Sequence, residues 1–185
     1  GFLFQNSGQP YLFPNVRVNT RHIAETFFRS SHLRSPGRVE NSFANESFMD
    51  ELAAAARVDP AAFRLRYLQD PRAIDVLRAV MNLANWQERP GPNPDGGAGP
   101  IVKGRGISYL RYGNTITYVA AVAEVEVNKE TGEIAVTRVC ASHDCGEMIN
   151  PDGVANQVEG GILQTVSRTL METVRWDREK VTSVD

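Results

Sequence analysis

The residues whose types and spacing could support chemistry are concentrated between positions 140 and 170. Here a strand end, a tight loop and a long helix are predicted in succession, and functional sites tend to lie at such junctions. Gln157, Glu159, Gly160 and Gly161 interrupt the apolar positions of the helix. Because each helical glycine costs about 1 kcal/mol relative to alanine, we expect a close neighbour at the glycine pair. That neighbour is either another packed element or a ligand that approaches the backbone.

Cys140, His143 and Cys145 are three candidate metal ligands within six residues. No fourth ligand stands at a recognised spacing, and there is no C-x-x-C pair. The pattern favours a buried Cys140 that ends a strand, with His143 and Asp144 bonding locally in the loop. Two cysteines are also too few for an iron–sulfur cluster. We therefore predict no metal ligand in this chain, and the residues alone reveal no catalytic group.

Arg34 is a second candidate because it precedes Ser35, Pro36 and Gly37, which predict a tight turn. An arginine beside a turn is either a solvated or ion-paired residue or a clamp for an oxyanion or phosphate. Glycines 104 and 106 flank an arginine in a way that resembles a phosphate loop. The helix that would aim amides at a phosphate does not follow, so we reject a nucleotide-binding motif.

Composition excludes several classes of function. The 185 residues are 42% hydrophobic and include 20 basic and 22 acidic residues, which is typical of one large globular domain or two small ones. No run of one sign indicates nucleic acid or an anionic membrane as a partner. No apolar run is long enough to span a membrane, and no signal peptide is apparent. The compartment, cytoplasm or periplasm, stays open.

The candidate residues must be positioned by helices with proline starts. Asn150 before Pro151 predicts a helix start, and an apolar face with a period of four predicts that one side lies in the core: Val154, Val158, Ile162, Val166 and Leu170. Asp59 and Asp70 also precede prolines, which predicts helices at 60–68 and about 71–85 after a first helix from Ser42 to about Val58. The first helix should turn Phe48, Met49, Leu52, Ala53 and Ala56 inward. Carboxylates on these helices are interpreted as surface charges and caps.

Strands are predicted around this helical region. Residues 1–40 should be irregular, with short strands near 16–18 and 26–29. Eight of the eleven residues from 90 to 100 are Gly or Pro, which predicts an exposed connector. Strands follow at 107–112, 115–127 and 133–140, with Gly132 in a hairpin loop at 128–132. The fold class is α+β, an antiparallel sheet with segregated helices, divided as 1–89, a connector at 90–104, and 105–185.

Three blocks of the sequence are familiar in this order: 42–68 (SFANESFMDELAAAARVDPAAFRLRYL), 118–146 (YVAAVAEVEVNKETGEIAVTRVCASHDCG) and 149–170 (INPDGVANQVEGGILQTVSRTL). They resemble the large, molybdenum-binding subunit of the xanthine dehydrogenase and aldehyde oxidase family, most closely its isoquinoline 1-oxidoreductase-like branch. The resemblance covers nearly the whole chain. It implies that the chain is one fragment of a larger molybdopterin-binding domain.

The resemblance further implies a molybdenum hydroxylase that oxidises an aldehyde or N-heterocycle, with water as the oxygen source. Its cofactor would be molybdopterin, as the cytosine dinucleotide, and its partners would be a small-molecule substrate, an iron–sulfur or other electron-acceptor subunit, and the rest of the large subunit. Arg34, Gln157, Gly160 and Gly161 match family positions near the cofactor. Leu33 replaces an aromatic residue of the family, and Thr165 stands where relatives carry a glycine.

Two family motifs are not found in these residues: a G-Q-G loop, and a G-x-G-E sequence whose glutamate acts as general base. We therefore expect an internal piece of a longer polypeptide that is inactive alone and holds no cofactor. The alternative is a scaffold or interaction module that has kept the sheet and lost the cofactor.

Overall fold

The computed structural model describes residues 8–21, 23, 25, 33–91, 97, 99–113 and 116–183. Within these ranges three helices come first: α1 (Arg38–Ala55), α2 (Pro60–Arg66) and α3 (Pro71–Leu83). Three strands and a helix then follow: β1 (Ile101–Tyr112), β2 (Thr117–Asn128), β3 (Ile134–Asp144) and α4 (Pro151–Leu170). The sheet is antiparallel in the order β1-β2-β3, so the predicted α+β class is confirmed.

The three helices with proline starts begin where the sequence predicts. The side chain of Asp59 accepts hydrogen bonds from the amides of Ala61 and Ala62, at 2.9 Å each. Asp70 caps α3 in the same way, and Asn150 Oδ1 accepts from the Gly153 amide at 3.0 Å. These oxygens satisfy N–H groups that the first helical turn leaves unpaired. Both α2 and α3 end two residues earlier than predicted.

Helix α1 differs more from the prediction. It starts at Arg38 rather than Ser42 and ends at Ala55, three residues before Val58. Its start is set by the predicted turn, which is confirmed: the Arg38 amide donates to the Ser35 carbonyl at 3.0 Å, and Gly37 has φ +66°. Pro followed by a residue with positive φ is the pattern of a type II turn, which explains the glycine.

The inner face of α1 is narrower than expected. Met49 and Ala53 are buried, but Phe48 is 58% exposed and Ala56 is exposed, so the prediction is wrong for these two. Glu46 is buried, which corrects its interpretation as a surface charge. Its carboxylate accepts hydrogen bonds, each 2.8 Å long, from Arg64 Nε, the Tyr11 hydroxyl and the Tyr109 amide. Burial raises the pKa of Glu46, and the Arg64 guanidinium opposes that rise.

Strands β1 and β3 are longer than predicted, whereas β2 spans Thr117–Asn128 rather than 115–127. β1 begins at Ile101, so residues 101–104, assigned above to the connector, belong to the strand. Glycines 104 and 106 have the pattern of loop residues, but they pair with Val125 and Ala123 of β2. A Cβ on Gly104 would lie 3.1 Å from Val125 Cγ2, so close packing accounts for that glycine. The hairpin loop at 128–132 is confirmed, with Gly132 at φ +76°.

The core lies between the helices and one face of the sheet. α3 packs on β2 and β3, and its buried residues Leu77 and Val80 belong to the same cluster as Ala120 and Val122. Helix α4 contributes no fully buried residue within the described part of the chain. Its predicted core face is only half-buried, and Leu170 is 38% exposed, so that prediction is wrong for this chain.

Two expectations concern the N-terminal segment. Residues 16–18 do not form a strand, so this prediction is wrong. Residues 26–29 lie outside the described residues. No described helix has both the length and the apolar character that crossing a membrane requires.

Candidate functional site

The structure brings Arg34 and Gln157 together although 123 residues separate them. Arg34 Nη2 donates a hydrogen bond of 2.9 Å to Gln157 Oε1. Longer contacts of 3.5 Å join the same guanidinium to the Gln157 carbonyl and to Gln164 Oε1. Arg34 therefore lies across the face of α4, joined to it at two positions about two turns apart.

The glycine pair has fewer neighbours than expected. A Cβ on Gly161 would lie 3.9 Å from Arg34 Nη2, which is an ordinary contact. A Cβ on Gly160 would meet no described atom within 4 Å. The expectation of a close neighbour within this chain is thus wrong for Gly160, while Gly161 faces Arg34.

Four residues of α4 form what we call the polar stripe: Gln157, Gly161, Gln164 and Arg168. Their spacing of four, three and four residues places them on one side of a helix. Arg168 Nη1 lies 3.5 Å from the carbonyl oxygen of Arg34, so the stripe contacts this residue through its backbone as well. Sequence reasoning missed Gln164 and Arg168, and their spacing from Gln157 was the pattern that could have revealed them.

The loop that carries Arg34 borders a small cleft of about 190 Å³, and Arg168 at one end of the polar stripe lines the same cleft. Ser35 and Gly37 both have positive φ values, +65° and +66°, and the Asn41 side chain donates to the Gly37 carbonyl. These local restraints hold the loop at the start of α1. The cleft is lined by residues 33–37, Val39, Glu40 and Arg168.

The hydrogen-bonding groups at this site are mainly donors. A guanidinium can only donate, so Gln157 and Gln164 must turn their oxygens toward Arg34. Their NH₂ groups then point away and have no hydrogen-bond partner among the described residues. Together with the guanidinium of Arg168 they favour a ligand rich in acceptor atoms or negative charge. Glu40 is the one carboxylate that lines the described cleft.

The loop before α4 is held in place by α3. Arg72 of α3 forms a two-pronged ion pair with Asp144 at the end of β3, with both N–O distances 2.7 Å. The Gly146 amide donates to the same carboxylate at 2.8 Å. These hydrogen bonds, the one from Arg72 above all, lower the pKa of Asp144 to about 2. Asp144 therefore stays ionised and ties α3 to the segment that leads into α4.

This geometry corrects the predicted local bonding near Cys140. Cys140 is buried as expected, but the strand continues four residues beyond it. His143 contacts the Thr117 hydroxyl on β2 through Nε2, and burial lowers the pKa of its ring. Within the described ranges, no group of three or more His, Cys, Asp or Glu side chains is placed to hold a metal ion.

Comparison with known proteins supplies the family. A family model described as a molybdopterin cofactor-binding domain matches residues 48–183, and a second model with the same description matches residues 2–68. The chain belongs to the molybdopterin cofactor-binding domain family. The resemblance to the molybdopterin-binding subunits of the xanthine dehydrogenase family is thereby confirmed. Arg34 lies in the part matched by one model, and the polar stripe lies in the part matched by the other.

Several curated proteins are similar to this chain over most of its length. It is 42% identical over 180 residues to a nicotinate dehydrogenase subunit of Pseudomonas putida, covering 94% of this chain and 15% of that protein. It is 37% identical over 145 residues to the beta subunit of isoquinoline 1-oxidoreductase of Brevundimonas diminuta, covering 78% and 18%. A membrane-bound aldehyde dehydrogenase (pyrroloquinoline-quinone) of Gluconacetobacter polyoxogenes is 30% identical over 174 residues, covering 85% and 22%. The chain thus spans less than a quarter of each relative. No solved structure matches it.

Proposed function

We propose that this chain forms part of the cofactor cleft of a molybdenum hydroxylase that oxidises an N-heterocycle or an aldehyde, with water as the oxygen source. The observation that carries the proposal is the contact of Arg34 with Gln157 and Gln164 on α4. This contact joins two distant parts of the chain, each matched by a molybdopterin-binding family model.

The donor set fits the chemistry of molybdopterin. The cofactor carries a phosphate and a pterin ring with several acceptor atoms, and Arg34 with the two amide NH₂ groups can donate to them. Gly161, which lacks a side chain beside the guanidinium, leaves room for a flat ring near the helix. We infer that Arg34, Gln157 and Gly161 hold the cofactor, and that Gly160, where an added Cβ would meet no described atom within 4 Å, leaves further room beside it.

When bound, the molybdenum centre accepts the two electrons that leave the substrate. This chain's own residues bind and orient. Arg34 offsets negative charge, and Gln157 fixes the plane of the guanidinium through its oxygen while its NH₂ group donates to the ligand. The ion pair of Arg72 with Asp144 fixes the loop that sets the direction of α4. No described residue is proposed as the general base.

The finer assignments rest on the relatives. Those at 42% and 37% identity are named for nicotinate and isoquinoline, which are aromatic N-heterocycles, so we favour this substrate class over aldehydes. We further propose that the cofactor is the cytosine dinucleotide form, that electrons leave to an iron–sulfur or other acceptor subunit, and that the remainder of a large subunit closes the cleft. The chain alone would then be inactive.

The test uses the full-length polypeptide with Gln157→Ala. We expect molybdenum content and turnover to fall by at least about fivefold while the melting temperature changes little, because one exposed side-chain hydrogen bond contributes only about 1 kcal/mol. Asn156→Ala is the matched control, since Asn156 is an exposed neighbour on α4 whose side chain, among the described residues, bonds Asp152 alone. Unchanged metal content in Gln157→Ala would contradict the assignment of Gln157.

The competing function is a scaffold that has lost the cofactor. It predicts that wild-type full-length protein, expressed in cells that make molybdopterin, carries no molybdenum. Metal analysis of the wild-type protein therefore separates the two functions before any variant is made.

A further inference from the structure

We propose that Arg168 and Gln164 complete, with Arg34, a subsite that recognises an oxyanion of the bound ligand. The inference rests on the proposed function and deepens it. The oxyanion is a carboxylate on the substrate or the phosphate of the cofactor, and the donors required are the same for both. Neither Arg168 nor Gln164 follows from the family motif at Gln157, because both lie beyond its two glycines.

The length of the polar stripe supports two separate groups of contacts. Gln157 and Arg168 are eleven residues apart, which is about 16 Å along a helix axis. Arg34 reaches Gln157 at one end and Gln164 near the middle. A second group of the ligand would bind at the Arg168 end of the stripe, which lines the cleft together with residues 33–37.

Charge and hydrogen-bonding capacity indicate what that group is. Arg34 and Arg168 both line the cleft, with Glu40 as the opposing carboxylate. Arg168 donates a single long bond, 3.5 Å, to the Arg34 carbonyl, so most of its five N–H donors have no partner within the described chain. Two guanidinium groups at one cleft repel each other, and an oxyanion between them removes that repulsion. A neutral carbonyl could not do so as well.

The experiment compares cofactor-loaded full-length wild type with Arg168→Gln. The substrates are pyridine-3-carboxylate and pyridine-3-carboxamide, which share the ring and differ in charge. If the subsite binds the substrate, the KM for the carboxylate rises by at least about tenfold relative to that for the carboxamide. If it binds the cofactor, molybdenum per chain falls by at least about threefold and the KM ratio stays constant. Either result supports the subsite and identifies the source of the oxyanion.

Two further variants separate recognition from structure. Arg168→Lys keeps the charge and should restore part of the lost KM ratio or metal content, which a packing defect would not predict. Arg78→Gln removes an exposed helical arginine on α3 and should change neither quantity. If Arg168→Gln leaves both the KM ratio and the molybdenum content within about twofold of wild type, the subsite is wrong.

A binding measurement distinguishes failure of the oxyanion subsite from failure of the proposed function. Should wild-type protein carry no molybdenum, calorimetric titration of the full-length wild type and Arg168→Gln with pyrophosphate and with pyridine-3-carboxylate replaces the kinetics. Binding of either probe that weakens at least about tenfold in the variant supports the oxyanion subsite. Equal binding to both proteins, or no binding to wild type, overturns it.

Discussion

Arg34 is held from two directions, and this determines what its neighbours can do. Its side chain bonds the amide oxygens of Gln157 and Gln164, and its carbonyl contacts Arg168. Because both amide oxygens are used by the guanidinium, each amide has only its NH₂ group left to bond a further partner. An exposed glutamine thus has a defined chemical role that its residue type alone does not reveal.

The ion pair of Asp144 with Arg72 makes the stability of the protein depend on pH. The folded pKa of Asp144, about 2, lies below its ordinary value near 3.8, mainly because of Arg72. The ion pair therefore contributes its full stability above about pH 4 and loses it as the pH falls toward 2. We expect Arg72→Met to lower the midpoint of urea unfolding at pH 6, and the difference from wild type to shrink as the pH is lowered to about 2.5.

Arg78→Met is the control for that series, since Arg78 is also an arginine of α3 but is exposed and takes no part in the pair with Asp144. Its difference from wild type should be small at every pH. A difference between Arg72→Met and wild type that is equally large at pH 6 and pH 2.5 would show that Arg72 acts through packing on Tyr118, whose ring lies 4.4 Å from its guanidinium carbon, rather than through Asp144.

The helix caps differ in how much they contribute to the free energy of unfolding. Asp59 is buried and accepts not only from two amides of α2 but also from Trp86 Nε1, at 3.1 Å, and from the Arg89 amide, at 2.9 Å. We expect Asp59→Ala to cost about 2–4 kcal/mol of unfolding free energy, more than the roughly 1 kcal/mol typical of a cap, because buried donors lose their acceptor. Denaturant unfolding measures this.

Asp59→Asn is the matched variant for this prediction. It keeps one acceptor oxygen for the amides of Ala61 and Ala62 but places an NH₂ group where Oδ2 accepts from Trp86 and Arg89, so it should cost less than Asp59→Ala by the share of the cap, about 1 kcal/mol. Equal losses in the two variants would indicate that the bonds to Trp86 and Arg89, rather than the cap of α2, support the junction of α2 with the segment after α3.

The starts of the helices were predictable from the sequence, whereas the start of β1 was not. Helix starts at Pro60, Pro71 and Pro151 are correct because a cap and a proline act within a few residues of one another. The start of β1 was not predicted because glycines are uncommon in strands. Gly104 and Gly106 belong to the strand because they pair with β2. Local patterns do not contain such pairings.

The candidate site was likewise predictable from the sequence only in part. The placement of Arg34 and Gln157 at one site follows from family resemblance, whereas Gln164 and Arg168 follow only from the helix geometry once Arg34 is known to cross it. The burial of Glu46 could not be predicted either, since its three partners come from the N-terminal segment, α2 and β1. Each is distant in sequence.

Helix α4 has no buried face among the described residues, and the cleft lies beside its Arg168 end. None of the described residues of α4 is fully buried, and the helix packs chiefly on β3. We predict that the isolated 185-residue chain, produced in cells that make molybdopterin, retains less than about a tenth of the molybdenum per chain of the full-length protein, because a ligand held on one side dissociates readily. Metal analysis after gel filtration is the measurement. Stoichiometric molybdenum in the isolated chain would refute this account of the cleft.

The tie between Arg72 and Asp144 also has a consequence for the order in which the chain is made. The two residues are 72 positions apart, and the strands that cover the apolar side of α3 are synthesised in between. At about 5–20 residues per second, α3 leaves the ribosome roughly 4–14 s before Asp144 does. During that interval Leu77 and Val80 face no sheet. The core around α3 is therefore completed only after β2 and β3 have been synthesised.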